Sequence, residues 1–201
     1  MPFSVTHERK MVPGLAAPRY TTKPFPPYRF ISGATPHPTL DPRGHSFRRP
    51  GETTPSTRWV APADWASSCQ YLYAADLYNH GYWWEAHEAW EELWQQAEKA
   101  ATQGRFLQGL IQVSACHLKL HISRREGVKR LLDSSMGYLD GVCREIDEAV
   151  YMGVDVADFV ARVRRYYGIE GGEAQRTDHD PEAYPYVRFV SDPKPASGSE
   201  C

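Results

Sequence analysis

The sequence lacks a long apolar run. Its longest apolar-rich stretch without charge, Phe106 to Leu118, is too short to cross a bilayer as a helix. The N-terminus also lacks the apolar segment and cleavage pattern of a signal peptide. We therefore expect a soluble cytoplasmic protein with no membrane partner.

Closely spaced cysteines are also missing. Cys69, Cys116, Cys143 and Cys201 form no Cys-x-x-Cys pair, which argues against a zinc-knuckle site and predicts separate thiols in a reducing compartment. The chain has no Gly-rich phosphate loop and no Gly-x-Ser-x-Gly elbow. The sequence therefore offers no motif of the common nucleotide-binding or serine-hydrolase folds.

A dense run of basic residues is absent as well, although charge is unevenly distributed. Residues 1–60 carry 9 Lys and Arg against 3 Asp and Glu, whereas the rest of the 201 residues carry 14 against 22. The basic residues are spread among prolines, and phosphate contacts favour denser clusters. We expect the basic segment to lie against the acidic body of its own chain rather than on nucleic acid.

Proline, in contrast, is abundant at one end. Residues 1–62 hold 12 of the 16 prolines, so no normal helix fits there. Four regions are predicted: a disordered N-terminus (1–24), a Pro-rich arm docked on the body (25–62), a helical bundle (63–168) and a partly disordered tail (169–201). The arm should dock through its aromatic residues, Phe25, Tyr28, Phe30 and Phe47, because disordered linkers are poor in aromatics.

Helical periodicity begins after the arm. We expect a first helix capped by Asp64 and ending near Tyr78, followed by helices over about 82–98, 105–122, 124–139, 142–152 and 156–167. The pair Asp140-Gly141 should interrupt or kink the chain between the fourth and fifth of these. The predicted fold class is all-α, a compact bundle of five or six helices with an extended Pro-rich arm.

The second helix is the most unusual segment, since residues 79–98 contain four of the six tryptophans. A step of 100° per residue places His87 on the apolar arc with Trp83, Trp90 and Trp94, and places Glu85, Glu88 and Glu92 on the opposite side. Glu91 follows His87 by one turn, so the two side chains can touch. We expect His87 to be buried beside Glu91.

Two other groups of polar residues accompany this pair. Gln108 and Gln112 lie on a third helix that is apolar on almost every face, so their amides should be partly buried and need partners, for which His87 and Glu91 are predicted. In the arm, His37 and His45 flank Asp41 and Arg43. These arm residues form either a surface turn that bonds its own backbone or a cluster that covers a pocket.

The chain contains the run Asn79-x-Gly81-x-x-x-Glu85-Ala86-His87-Glu88-x-Trp90-Glu91-x-x-Trp94, followed by Phe106-Leu107-Gln108-Gly109-Leu110-Ile111-Gln112 and Gly127-x-x-x-Leu131-Leu132. Together these runs resemble the small helical family catalogued as domain of unknown function 309. The arm motif His37-Pro38-x-x-Asp41-Pro42-Arg43-Gly44-His45 is similar to an N-terminal extension of bacterial members. The resemblance covers about residues 77–139. It implies an all-helical fold and no established activity.

Three functions remain open from the sequence. The first is binding of a small ligand by Gln108, Gln112, His37, Asp41, Arg43, His45 and Trp84, or of a divalent metal ion by His87 and Glu91 with His37 or His45. The second is a hydrolase-like enzyme, metal-dependent or acid-base, with His87 and Glu91 as its catalytic pair. The third is a structural or homodimerising module, in which a His-Glu-Gln network fixes helix register and Trp84 anchors the arm or a second copy of the chain.

Overall fold

The computed structural model describes residues 17–49, 51–52, 58–122, 127–169 and 184–193. Within them the chain forms a short 3-10 helix (Pro62–Ser67), five α-helices and one two-stranded antiparallel sheet. The elements are α1 (Cys69–Asn79), α2 (Trp83–Gln96), α3 (Thr102–His121), α4 (Val128–Glu145), β1 (Val150–Tyr151), β2 (Val154–Asp155) and α5 (Val156–Tyr167). The prediction of an all-α bundle is confirmed.

A tight turn joins α1 to α2. Gly81 has φ +80°, a left-handed conformation that glycine adopts without a steric penalty. The Tyr82 amide then donates to the Leu77 carbonyl at 2.8 Å, which satisfies a carbonyl at the end of α1. The turn lets α2 pack back against α1.

Helix α3 is central, as its nearly complete apolar surface predicts. It packs against α2 on one side and α4 on the other. The approach to α4 is close at Gly109, where an added Cβ would lie 2.6 Å from the Leu139 side chain. Ser135 of α4 donates from Oγ to the Gly109 carbonyl at 3.1 Å. A Gly109→Ala substitution would therefore push the two helices apart.

Two predicted element boundaries are wrong. The first α-helix is capped not by Asp64 but by Ser68, whose side chain accepts from the Tyr71 amide, because residues 62–67 form the separate 3-10 helix. Helix α4 continues through Asp140-Gly141, since Leu139 and Val142 on both sides of this pair are buried. The predicted helix over 142–152 is therefore the end of α4 followed by β1.

Two polar side chains of α1 fix segments from both ends of the chain. The buried Asp76 carboxylate accepts from the Tyr20 and Thr21 amides at 2.6 and 2.8 Å and from Thr21 Oγ1 at 2.6 Å. One turn later, Asn79 Oδ1 accepts from the Val187 amide, and its Nδ2 donates to the carbonyl of Val187. Contacts with the bundle therefore begin before Phe25, the predicted start of the arm.

Several predictions lie outside the described residues. These are the disorder of residues 1–16, the start of the fourth helix at Arg124 and most of the C-terminal tail. Residues 184–193 of that tail are described, and Tyr184, Tyr186 and Val187 are buried in the core. In the described part of the chain, no helix combines the length and apolar character that membrane crossing requires.

The cysteines correct one expectation. Cys116 and Cys143 are free thiols, but Cys69 takes part in a disulfide. The prediction of four separate thiols is therefore wrong at Cys69. The argument for a reducing compartment that rested on those thiols is removed with it.

Candidate functional site

The arm contacts α2 through a buried histidine-carboxylate pair. His45 Nε2 lies 3.1 Å from Glu85 Oε1, and the two side chains are 5% and 4% exposed. The same Glu85 oxygen accepts from the Phe30 amide at 2.8 Å. Ser46 Oγ lies 2.9 Å from His45 Nδ1, so an imidazole with its proton on Nε2 donates to Glu85 and accepts from Ser46. Burial raises the pKa of Glu85, although these hydrogen bonds oppose the rise.

Glu85 was predicted on the solvent side of α2, and that prediction is wrong. The arm covers this side, so α2 is buried by α3 on one face and by the arm on the other. The expectation that an arm histidine approaches Glu91 is corrected in the same way, because His45 pairs with Glu85 instead.

The arm residues around Asp41 form a local turn. Asp41 Oδ2 lies 2.8 Å from Arg43 Nη2, and the Arg43 side chain is largely exposed. This guanidinium and the Arg43 amide lower the pKa of Asp41 to about 2. At Gly44, an added Cβ would lie 2.2 Å from the Pro38 carbonyl oxygen, so the turn requires glycine. Asp41 and Arg43 therefore shape the arm.

The other arm histidine packs over Trp84. The ring centroids of His37 and Phe30 lie 5.5 and 5.4 Å from that of Trp84. His37 Nδ1 accepts from the amides of Thr39 and Leu40, each at 3.3 Å. The arm, which was one of the partners predicted for Trp84, therefore contacts this side chain.

A cleft of about 1060 Å³ lies between the arm and the α1–α2 pair; we call it the arm cleft. Its helical side carries Tyr73, Gln70, Trp84, Glu85, Glu88 and Glu92, and its arm side carries Lys23, Phe25, His45, Arg48, Arg58 and Trp59, among others. Two site residues predicted from the sequence, His45 and Trp84, line it. Neither His87 nor Glu91 does.

The Glu88 carboxyl, on the wall of the arm cleft, has a raised pKa. Burial, and then the neighbouring charges of Glu91, Glu92 and Glu85, raise its pKa to about 7. Among the residues that the structure describes, no group donates a hydrogen bond to it or forms an ion pair with it. A carboxyl with this pKa can accept or release a proton near neutral pH.

The predicted catalytic pair lies at the edge of α2 rather than in the core. His87 Nε2 is 3.5 Å from Glu91 Oε2, and the side chains are 31% and 38% exposed. With Glu88, they offer three potential metal-ligand atoms within 4.8 Å of one another. Neither His37 nor His45 belongs to this group. The predicted burial of His87 is therefore wrong, although its pairing with Glu91 is present.

The two glutamines do not join this pair. Gln108 and Gln112 are half-buried on α3, and Gln112 Oε1 is buried without a partner in the described structure. In the described residues no hydrogen bond connects either amide to His87 or Glu91. The predicted His-Glu-Gln cluster is therefore not formed by these four residues.

Among the described histidines, His117 of α3 is the one that is fully buried. Its Nε2 lies 2.9 Å from the Tyr78 hydroxyl and its Nδ1 lies 3.1 Å from the Tyr167 hydroxyl. Tyr78 donates its proton to the Pro185 carbonyl at 3.1 Å, so it accepts from Nε2–H, and Tyr167 donates to Nδ1. Burial lowers the pKa of His117 to about 3, which keeps the ring neutral.

Sequence reasoning missed Glu85, Glu88 and Asp76. One signal was available: Asp76 falls on the apolar face of its helix, and a buried acid needs donors. A second was Trp84, which lies apart from the main apolar arc of α2 and implies that a second element covers this side.

Residues 71–131 match the model of a family described as Domain of unknown function (DUF309). The resemblance predicted from the motifs is therefore confirmed over this segment. On the helical side of the arm cleft, the lining residues from Tyr73 to Glu92 fall within the match, whereas Gln70 and the arm lie outside it. A search of curated proteins finds no match.

Proposed function

We propose that this chain, whose residues 71–131 match the DUF309 model, is a helical binding protein that holds a small organic molecule in the arm cleft. The observation that carries the proposal is the half-buried carboxyl of Glu88 on the wall of that cleft, which has no partner among the described residues. A carboxylate taken partly out of water without a partner costs free energy. A ligand that supplies the missing donor would recover that cost.

The size and lining of the arm cleft support the proposal. Its volume of about 1060 Å³ is at the upper end of small-molecule sites, and such sites combine aromatic walls with a few polar groups. Trp84, Tyr73 and Phe25 supply the aromatic surface here.

A divalent metal ion at His87, Glu88 and Glu91 is the second candidate. The observation that favours it is the proximity of the three ligand atoms, all within 4.8 Å. Imidazole nitrogen and carboxylate oxygen are suitable ligands for several divalent ions. Glu88 belongs both to this group and to the lining of the arm cleft, so the two candidates compete for one side chain.

A fragment screen monitored by NMR tests the binding proposal. The full chain carries indole reporters at Trp84 and Trp59, which line the arm cleft, and at Trp90, which is fully buried. Fragments that bind the arm cleft should shift the first two indole N–H signals and leave that of Trp90 unchanged. A Trp90→Phe variant identifies the control signal. If no fragment shifts Trp84 or Trp59, or if shifts concentrate elsewhere, the proposal is wrong.

A further inference from the structure

Two carboxyl groups that line the arm cleft have oxygens that lack donors within the described part of the chain. The Glu88 carboxyl has no hydrogen-bond donor there. Glu85, whose side chain is 4% exposed, uses Oε1 for Phe30 and His45, and its buried Oε2 has no partner among the described residues. Both side chains line the arm cleft. The α2 side of the cleft therefore has unused acceptors and concentrated negative charge.

The aromatic wall already accommodates a cation of this chain. The Lys23 ammonium lies 4.3 Å from the ring centroid of Tyr73, and both residues line the arm cleft. Ammonium groups are attracted to the faces of aromatic rings, most strongly to tryptophan. Trp84, on the neighbouring helix, adds a ring near Glu85 and Glu88. An alkylammonium is therefore compatible with this wall.

The positive charges of the arm do not cancel this preference. Lys23, Arg48 and Arg58 line the arm cleft but are exposed, and exposed charges are screened by water and salt. Glu85 and Glu88 are at least half-buried, where the effective dielectric constant is lower and electrostatic attraction is stronger. The half-buried carboxylates of the α2 wall therefore dominate selection among charged ligands.

We propose that the ligand of the arm cleft is an organic cation, a primary amine with an apolar body. Its ammonium group donates to Glu88, next to the buried charge of Glu85, and its body lies along Trp84 and Tyr73. This inference rests on the proposed ligand-binding function and specifies its chemical class.

Three matched probes test the inference on the full chain: phenethylamine, phenethyl alcohol and 3-phenylpropionate. They share an aromatic body and differ in charge. At pH 8, where Glu88 is ionised and the amine is protonated, the amine should bind at least about tenfold more tightly than the alcohol, and the anion should bind least. This factor corresponds to one charge-assisted hydrogen bond. Trp84 and Trp59 indole shifts report binding.

Two variants of α2 and a metal titration locate the preference. Glu88→Gln should abolish the amine-over-alcohol ratio while leaving alcohol binding unchanged. Glu91→Gln, on the same helix but outside the lining of the arm cleft, should keep the ratio. If amine binding weakens equally in both variants and Mn²⁺ displaces the amine, the carboxylates form a metal site and the inference is overturned.

The probes also separate this inference from the function on which it rests. If the alcohol or the propionate binds as tightly as the amine, the arm cleft is a ligand site but not one for cations. If no probe binds and the fragment screen also finds no occupant, the proposed function itself fails. A thermal melt of Glu88→Gln that matches the wild type shows that a lost ratio is not caused by unfolding.

Discussion

The His117→Gln variant should lose less stability than the wild type when the pH falls from 6.5 to 4.5. In the wild type His117 is completely buried, and burial lowers its pKa to about 3, whereas an unfolded histidine titrates near 6.5. Below pH 6.5 the unfolded chain therefore binds a proton that the folded chain excludes. The stability that the neutral ring provides is fully present above pH 6.5 and is lost as the pH falls toward 3.

Over this pH range the unfolding free energy of the wild type should fall by about 2 kcal/mol more than that of the variant. Urea denaturation at pH 6.5, 5.5 and 4.5 measures it, and each protein serves as the other's control because both keep Glu85, Glu88 and Asp41. The variant should be less stable at pH 6.5, since the hydroxyls of Tyr78 and Tyr167 lose the ring between them. Parallel pH profiles for the two proteins would contradict a neutral, buried His117.

The Asp76→Ala variant should release the N-terminal segment from α1. Asp76 accepts from the amides of Tyr20 and Thr21 and from the Thr21 hydroxyl, and alanine leaves these three donors without their acceptor. Each unsatisfied buried donor costs about 1–3 kcal/mol, so detachment of the segment is favoured over keeping it docked. The unfolding free energy should fall by about 2–4 kcal/mol. Because Lys23 and Phe25 line the arm cleft, amine binding should weaken when the segment detaches.

Limited trypsin digestion measures the release of this segment. Cleavage after Arg19, whose guanidinium bonds the backbone of Thr21 and Lys23 in the docked form, should accelerate at least about tenfold in Asp76→Ala. Thr21→Val is the matched control, since it removes one of the three hydrogen bonds and should cause a smaller increase. Cleavage of Asp76→Ala at the wild-type rate would mean that Asp76 does not hold the segment.

The helices were predictable because residues close to each helix in the sequence determine where it begins and ends. Helix α5 begins after Asp155, which caps it, and ends before Gly168, which adopts a left-handed φ of +66°. These local signals explain why the predicted range, 156–167, agrees with the observed helix. The failure at Asp140-Gly141 has the opposite cause. Leu139 and Val142 are buried in the tertiary structure, and this packing keeps α4 continuous despite a local breaker.

The candidate site was only partly predictable because it depends on where the arm lies. Helical periodicity places Glu85 and Glu88 opposite the core, and without the arm they would face water. The contact between Glu85 and His45, 40 residues apart in sequence, follows from no local spacing. In contrast, the pairing of His87 with Glu91 is a property of one helix and was predicted correctly, whereas the exposure of that pair was not.

The titration of Glu88 tests the central claim most directly, since the proposed ligand site depends on a half-buried carboxyl that has no partner in the part of the chain that the structure describes. Carboxyl carbon NMR of the full chain, with Glu88→Gln used to assign the signal, follows its protonation between pH 3 and 9. Burial and the charges of Glu91, Glu92 and Glu85 predict a midpoint of about 7, which should fall when phenethylamine is added because a bound ammonium favours the ionised form. A midpoint near 4.3, the ordinary value for glutamate, unchanged by the amine, would contradict the account.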